Sequence, residues 1–308
     1  MVPLILKKSN DDNYKKNCIL KCYILFNIYF LINLNLFQKK KAFQLKKCYQ
    51  CLEYPDIRIN HLIITRFLMF FNKTFSPKIY TEDYIKNGIR VMKKYLFPSL
   101  DNQSCKNFTW ILILGDKANI TYVKSLLNFN ISFQYNVLFA KSLKNYIRNS
   151  NKDFDVLITT RIDYDDRIYY DAVNDVRKAI NINRPIILYG YNRGVYYSEL
   201  DNKYYNFDLN CENGTMSIFI SLITVLNKIN DTYTVYDLKN HENIRKTLLE
   251  KYKSFGMKTI NYDPAIFDNG DPKFVYVRQN YSWYYSINGE NLKRLKEKNF
   301  NLLKFYGK

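Results

Sequence analysis

The stretch VLITTRIDYDDRI, residues 156–168, decides the fold prediction for this chain. It begins with an apolar run rich in β-branched residues, a pattern that is typical of a buried strand. Three carboxylates, Asp163, Asp165 and Asp166, follow within four residues. They would repel one another unless solvent, a helix N-terminus or a hard divalent cation relieves the repulsion. Capping of a following helix would account for one of the three carboxylates and leave two unexplained.

Further apolar runs precede this stretch, with helical patterns between them. Strands are predicted at residues 61–65, 110–114, 132–139 and 156–160, and helices near residues 82–96, 120–129, 142–149 and 167–180. The first helix is expected to stop at Pro98. Strands that alternate with helices indicate an α/β fold with a mostly parallel central sheet flanked by helices. Ligands of such sheets bind beyond the carboxyl ends of the strands, so we expect the acidic cluster to hold Mg²⁺ or Mn²⁺ that bridges a diphosphate.

Composition excludes several classes of protein. The chain has 308 residues, of which 47% are hydrophobic, enough for one sizeable core and too many for a disordered chain. The formal net charge is +19, but the lysines are scattered and no helix reads as a basic stripe. We therefore expect no nucleic-acid partner. A diffuse positive field suits an anionic sugar nucleotide or an acidic membrane surface equally well.

Residues 1–57 are interpreted as an N-terminal extension. Its apolar segment at residues 18–37 has lysines on both sides and is long enough to span a bilayer. Lys21 and three asparagines interrupt this segment, and a lysine within a membrane span is costly. A spanning segment, an interfacial helix and an extension outside the native fold all stay open. The expected location is the cytoplasm, with peripheral contact at the inner face of the membrane as the membrane-associated alternative.

Six cysteines are too few and too irregular for a disulfide framework in a chain of this length, so a reducing compartment is expected. Cys18 and Cys22, together with Cys48 and Cys51, could form a four-thiolate zinc site by their spacing. The first pair lies in an apolar run rather than on a turn, which favours buried or incidental thiols.

Other chemistries have less support. The sequence has no Gly-x4-Gly-Lys-Ser/Thr loop, no Gly-x-Gly-x-x-Gly after the first strand and no Gly-x-Ser-x-Gly elbow. Its two histidines, His61 and His241, leave little room for a histidine-rich metal site, and His61 opens an apolar strand. A nuclease that uses the acidic cluster would need further carboxylates converging on it.

Three motifs occur in chain order on the predicted elements. They are His-x-x-x-Thr-Arg-Phe at residues 61–67, Pro-Ser-Leu-x-x-Gln at residues 98–103 and Thr-Arg-x-Asp-x-Asp-Asp at residues 160–166. Together they resemble the GT-A nucleotide-diphospho-sugar glycosyltransferases of the family 2 type, and among them bacterial rhamnosyltransferase proteins. The resemblance covers residues 60–181 well. It implies a GT-A fold, with residues 58–190 as the nucleotide-sugar-binding half and residues 191–308 as the acceptor-binding half and C-terminal tail.

The resemblance implies roles for individual residues around the donor. Asp163 and Asp165 would hold the divalent ion and the donor's ribose and diphosphate, with Asp166 assisting or capping. Thr65 and Arg66 would line the nucleotide pocket at the end of the first strand.

Two further donor contacts have equally ordinary interpretations. Asp116 follows the second strand, where related enzymes contact the base, but it could be an ordinary turn residue. Arg161 could bind a phosphate bidentately or pair with one of the aspartates.

An inverting transfer also needs a base that accepts the proton of the acceptor hydroxyl. In the resembling enzymes this carboxylate lies well downstream in the chain. Candidates here are Glu199, Asp201, Asp208, Glu212, Asp237 and Glu242. We favour Asp237 or Glu242 as the catalytic residue, with His241 as a further metal ligand, although each of them could be an ordinary solvated side chain.

The function expected from the resemblance is a metal-dependent glycosyltransferase. It would transfer a sugar, rhamnose by the family's label, from a nucleoside-diphosphate sugar to a surface glycan or a lipid-linked precursor. The alternative is a non-catalytic, membrane-associated binding protein on the same scaffold, because fold does not fix function. The aromatic tail after Asp263 is expected mainly to pack, and residues 291–308 to form an amphipathic helix.

Overall fold

The computed structural model describes residues 51–69, 77–127, 131–208, 219–228, 234–237, 246–250, 265–268, 270–278, 298 and 300–307. The apolar segment at residues 18–37 lies outside these ranges, as do most of the predicted C-terminal helix and the candidate residues Glu212, His241 and Glu242. Within the described ranges, no helix has the length and apolar character needed to cross a bilayer.

Eleven strands are described, and they form two sheets. They are β1 (Ile59–Phe67), β2 (Thr109–Leu114), β3 (Gln134–Phe139), β4 (Val156–Arg161), β5 (Arg167–Ile168), β6 (Ile186–Tyr191), β7 (Arg193–Ser198), β8 (Lys203–Asp208), β9 (Ile220–Val225), β10 (Ala265–Asp268) and β11 (Phe274–Arg278). The α-helices with both ends described are α1 (Glu82–Lys94), α2 (Leu96–Asp101), α3 (Ile120–Leu126), α4 (Leu143–Ser150), α5 (Ala172–Lys178) and α6 (Leu302–Phe305).

The large sheet has the strand order β10-β6-β9-β4-β1-β2-β3. Its neighbours are parallel except for β9, which runs antiparallel to both β4 and β6. The predicted mostly parallel sheet of an α/β fold is therefore confirmed. Because β1, β2 and β4 run in one direction, their carboxyl ends meet at a single edge, where the acidic segment leaves β4.

Residues on alternate positions of the central strands enter two separate cores, as the twofold period of a strand requires. On one face, Ile63 and Phe67 of β1 pack with apolar residues of α1 and α5. On the other face, Leu62 and Ile64 pack with α4. Helices thus cover both faces, which is why these strands read as continuous apolar runs.

Side-chain caps fix where the helices begin. Thr81 accepts a hydrogen bond from the Tyr84 amide at the start of α1, and Asn119 accepts one from the Tyr122 amide at the start of α3. Pro98 does not end the predicted helix. The helix is interrupted at Tyr95, and a second helix, α2, follows with Pro98 in its first turn. There, the missing amide donor of proline breaks no helical hydrogen bond.

The helix predicted over residues 167–180 is shorter than expected. Residues 167–168 form β5, which pairs with β11 in the small sheet of order β5-β11-β7-β8, and α5 begins only at Ala172. Pairing with β11, which is distant in sequence, keeps residues 167–168 extended instead of helical. Asp165 and Asp166 consequently cap no helix.

A disulfide joins Cys51 to Cys105, contrary to the expectation of reduced thiols. Its two cysteines are 54 residues apart and meet because residues 51–57 pack on α5. The Leu52 amide donates to Asn174 Oδ1, and the Tyr54 hydroxyl donates to the Arg177 carbonyl. Cys51 is thus not available for the zinc site considered from the spacing.

Candidate functional site

Two arginines lie side by side at the carboxyl edge of the large sheet. Arg161 ends β4 and is in register with Ile64 of β1, so Arg66, two residues beyond Ile64, shares its face. The Arg66 and Arg161 side chains are 16% and 12% exposed. We call these two residues the arginine pair.

The arginine pair contacts Asp163, whose side chain is 35% exposed. Arg161 Nη2 lies 3.3 Å and 3.4 Å from the two carboxylate oxygens, and Arg66 Nη2 lies 3.8 Å from Oδ1. Burial and the neighbouring Arg161 lower the pKa of Arg66, even though Asp163 and Tyr236 act in the opposite direction. Positive charge is thus concentrated where a bound anion would be stabilised.

The Tyr236 ring lies against both guanidinium groups of the arginine pair, and no sequence motif predicted its role. The Arg66 and Arg161 guanidinium carbons lie 5.2 Å and 5.9 Å from the centre of its ring, within cation–π range. Burial raises the pKa of Tyr236, so its hydroxyl stays protonated and donates to the Ile64 carbonyl at 3.0 Å. Among 29 tyrosines in the chain, this one carries no sequence signal.

Hydroxyl groups of β4 fix the surroundings of Tyr236. Thr159 Oγ1 accepts a hydrogen bond from the Val235 amide at 2.9 Å. Thr160 Oγ1 lies 2.9 Å from His61 Nε2 and 2.7 Å from Ser221 Oγ, all of them buried. The predicted structural role of His61 agrees with this position. His61 and Thr160, from two different motifs, are therefore direct partners.

Thr65 lies on the opposite face from the arginine pair. Its side chain is fully buried and accepts a hydrogen bond from Trp110 Nε1 at 3.0 Å. This position gives Thr65 a role in the core, not the predicted position lining a nucleotide pocket. The reason is strand alternation, which sends Thr65 and Arg66 to opposite faces of the sheet.

The other two carboxylates of the acidic segment, Asp165 and Asp166, have surroundings that differ from those of Asp163. Asp165 is half-buried, and its charge raises the pKa of Tyr164 in addition to the larger effect of burial. Tyr164 packs edge-on against Phe67, with ring centres 5.5 Å apart. Asp166 is 2% exposed, and its Oδ1 accepts a hydrogen bond from the Val277 amide at 3.1 Å. Asp166 therefore ties the segment to β11, instead of facing a ligand beside Asp163.

The next residue, Arg167, is 7% exposed and lies among tyrosines. Its guanidinium carbon is 4.6 Å from the ring centre of Tyr95 and 5.9 Å from that of Tyr197. Tyr95 in turn donates to Glu199, which also pairs with Lys94 at 2.7 Å. Glu199, a candidate base, is thus committed to a structural contact.

The second motif positions the chain that follows the acidic segment. Gln103 is 1% exposed, and its amide nitrogen donates to the Tyr169 carbonyl at 2.8 Å. Its amide oxygen accepts from the Val173 amide at 3.1 Å. All three motifs therefore converge on the segment between β4 and α5.

Asp116 follows β2 at the same edge of the sheet as the arginine pair. Its Oδ2 lies 3.7 Å from Lys141 Nζ, and both side chains are more than half exposed. Together with Met69, Tyr80 and Gly115 these residues line an open cleft of about 350 Å³. The cleft keeps both interpretations of Asp116 open.

The downstream carboxylates are less promising as bases than expected. Asp237 Oδ2 accepts hydrogen bonds from the Thr234 amide at 2.8 Å and its hydroxyl at 3.0 Å, which closes the turn that carries Tyr236. Asp201 accepts a hydrogen bond from the Tyr205 hydroxyl. Asp237 and Glu242 as catalytic residues stay predictions, and Glu242 lies outside the described ranges.

Metal ligands do not converge in the described part of the chain. There, no group of three or more His, Cys, Asp or Glu side chains is arranged to hold a metal ion. Asp166 is held by β11, which leaves Asp163 and Asp165 as the carboxylates from the predicted set, while His241 lies outside the described ranges.

Several solved structures match this chain at low sequence identity. S. aureus TarS 1-349 is 11% identical over 71% of this chain and 60% of that chain, with a TM-score of 0.39. The complex of TarS 1-349 with UDP is 14% identical over 71% and 61%, with a TM-score of 0.36. A protein titled "putative nucleotide-diphospho-sugar transferase" from Desulfovibrio desulfuricans is 8% identical over 70% and 81%, with a TM-score of 0.34. The chain thus spans about three-fifths of TarS 1-349.

Curated proteins offer no match to this sequence. A family model does match, over residues 74–249, which is more than half of the chain and includes the second and third motifs. The family to which this chain belongs is the one described as "Putative rhamnosyl transferase".

Proposed function

We propose that this protein is a metal-dependent, inverting glycosyltransferase that uses a nucleoside-diphosphate sugar as donor. The observation that carries the proposal is the arginine pair, held with Asp163 at the carboxyl edge of a mostly parallel sheet. This edge is where such sheets bind ligands. Guanidinium groups match phosphate oxygens in geometry and charge.

The arginine pair would bind the diphosphate and stabilise the charge that grows on it as the sugar leaves. Fixed positive groups in a partly buried site stabilise such charge without having to reorganise during the reaction. Tyr236 holds both guanidinium groups in place before the donor arrives. The cleft beside Asp116 would take the base of the nucleotide.

Asp163 and Asp165 fit a cation that arrives with the donor better than a permanently bound ion. Mg²⁺ is commonly held by one or two carboxylates, with substrate phosphates and waters as its other ligands. Two carboxylates without a third protein ligand among the described residues suit that pattern. When bound, the cation would act as a Lewis acid on the departing diphosphate.

The family description makes rhamnose the first donor sugar to test, with a surface glycan or lipid-linked precursor as acceptor. Asp237 would need to break its hydrogen bonds to Thr234 before acting as base. Glu242 is the alternative base.

The experiment measures thermal stabilisation by UDP, TDP and GDP with and without Mn²⁺, followed by donor hydrolysis across sugar nucleotides. One nucleotide should raise Tm by about 5 °C at a hundredfold excess over Kd, with Mn²⁺ required for the full shift. Asp163→Asn should remove the part of the shift that depends on Mn²⁺. The matched control is Asp155→Asn, because Asp155 pairs with Arg58 at the opposite end of the same two strands. A shift that is the same in Asp163→Asn, or no shift with any nucleotide, would refute the proposal and favour a non-catalytic role.

A further inference from the structure

Two roles compete for the Asp163 carboxylate, and this inference rests on the function proposed above. Arg66 and Arg161 both reach Asp163, and Arg161 does so at two oxygens. The carboxylate therefore lies on the nitrogens that would contact a diphosphate. Asp163 is also one of the two carboxylates assigned to the cation. The same side chain would therefore have to pair with the arginines and bind the cation.

The arginine pair is held independently of Asp163. Both guanidinium groups rest on the Tyr236 ring, which the Ile64 carbonyl and the Val235–Thr159 hydrogen bond keep in position. Asp163 itself is more exposed than either arginine. A carboxylate at the solvent side of two fixed cations can leave without disturbing them.

We propose that Asp163 is an exchangeable counter-ion for the arginine pair. Before the donor binds, Asp163 forms ion pairs with both guanidinium groups and reduces the repulsion between them. When the donor enters, phosphate oxygens replace the carboxylate on Arg66 and Arg161, and Asp163 turns to the cation that the diphosphate carries. Each charge has a partner before and after the exchange, so a diphosphate that brings a cation is preferred to an anion alone.

Two other roles of Asp163 predict different behaviour. If Asp163 only binds the cation and does not compete for the nitrogens that bind the anion, its removal would leave metal-free anion binding nearly unchanged. If it only supports the arginine pair structurally, its removal would weaken anion binding with and without metal. Exchange alone predicts effects of opposite sign in the two conditions, because the carboxylate competes with the anion in one and assists it in the other.

The test is calorimetric titration with inorganic pyrophosphate, once in EDTA and once in Mg²⁺, on the full chain. Asp163→Asn should bind pyrophosphate about fivefold more tightly than wild type in EDTA and at least about fivefold more weakly in Mg²⁺. Arg161→Gln should weaken binding in both conditions, and Asp155→Asn should match wild type in both. A melting curve of each variant checks that it is folded.

Unchanged or weaker binding by Asp163→Asn in EDTA would overturn the exchange. Titration with UDP in parallel separates this inference from the proposed function. If the opposite-sign effect appears with pyrophosphate while no nucleotide binds more tightly than pyrophosphate, the exchange stands and the nucleotide-sugar function fails. If nucleotides bind with Mn²⁺ but the EDTA effect is absent, the function stands and the exchange fails.

Discussion

Two arginine–tyrosine contacts flank the acidic segment, and they differ in the exposure of the carboxylate beside them. Before the segment, the arginine pair lies on Tyr236 next to Asp163, whose side chain is 35% exposed. After it, Arg167 lies on Tyr95 next to Asp166, which is 2% exposed and bonded to β11. The same residue types thus leave a partly exposed carboxylate on one side, at the proposed ligand site, and anchor the fold on the other. The difference arises because β11 and the residues around Phe305 cover only the second contact.

The largest effects are expected when Asp163 and Asp166 are each replaced by asparagine. Asp163→Asn is expected to reduce transferase or donor-hydrolysis turnover by about a hundredfold, as for the loss of one charge-stabilising group in a site, with little change in stability. Asp166→Asn should instead lower the free energy of unfolding by about 2 kcal/mol, because a buried hydrogen-bonded charge is lost. Turnover at a temperature where both variants are folded, and urea unfolding, measure the two effects. If Asp166→Asn lost turnover as severely while fully folded, the distinction between the two sides would be wrong.

A matched change of the arginines is predicted to affect stability on one side only, which is a smaller contrast than that between the two carboxylates. Arg167→Gln should destabilise the protein by about 2 kcal/mol, since it removes cation–π contacts in a desolvated position. Arg161→Gln should change stability by less than about 1 kcal/mol, because it also relieves the repulsion between two neighbouring arginines. Chemical denaturation of both variants provides the comparison. Equal losses of stability would show that the arginine pair is also a structural anchor.

Low pH should lower the free energy of unfolding through His61, which lies on the side of the arginine pair. His61 is hydrogen-bonded to Thr160, the residue next to Arg161. Burial, with a smaller effect of Arg177, lowers the pKa of His61 well below its ordinary value of 6.5. Below pH 6.5 the unfolded chain therefore binds a proton that the folded chain does not, and stability falls as pH falls. The contribution approaches about 1.4 kcal/mol per pH unit. Unfolding free energies between pH 7.5 and 5.5 should show a flatter slope in His61→Gln, and an identical slope would contradict this assignment.

The smallest effect is expected from the tyrosine hydroxyls. Tyr236→Phe removes the hydrogen bond to the Ile64 carbonyl and should cost about 1 kcal/mol of stability, while the ring still supports the arginine pair. Tyr95→Phe is the matched change on the other side, where burial and Glu199 raise the pKa of the hydroxyl to about 12. Pyrophosphate affinity should change less than about twofold in either variant. A large loss of affinity in Tyr236→Phe would mean that the hydroxyl, rather than the ring, positions the arginine pair.

Much of the fold could be predicted from local pattern. The strand after residue 155, the alternation with helices and the position of the acidic segment at a carboxyl edge all follow from β-branched apolar runs and helical spacing. Arg66 and Arg161 were assigned to the site from the motifs, and the structure brings them together. Short β5 escaped prediction because it exists only through its pairing with β11, more than a hundred residues later.

Details of the site were less predictable. Tyr236 and Asp237 are adjacent in sequence, and the sequence pattern favours the carboxylate as the functional side chain. In the structure, Asp237 closes its own turn while Tyr236 supports the arginine pair. Nothing in the sequence shows which of two neighbouring side chains points to a site that another part of the chain builds.

Local sequence pattern is enough to predict the alternating α/β order, the mostly parallel sheet and the edge at which charged side chains gather. These follow from the periods of strand and helix, which are local properties of the chain. Three other features come from contacts between distant parts of the chain: Asp166 is an anchor, Thr65 belongs to the core, and Cys51 is bonded to Cys105. Each of these depends on which distant strand or loop arrives beside the residue, and that depends on packing that no local pattern records.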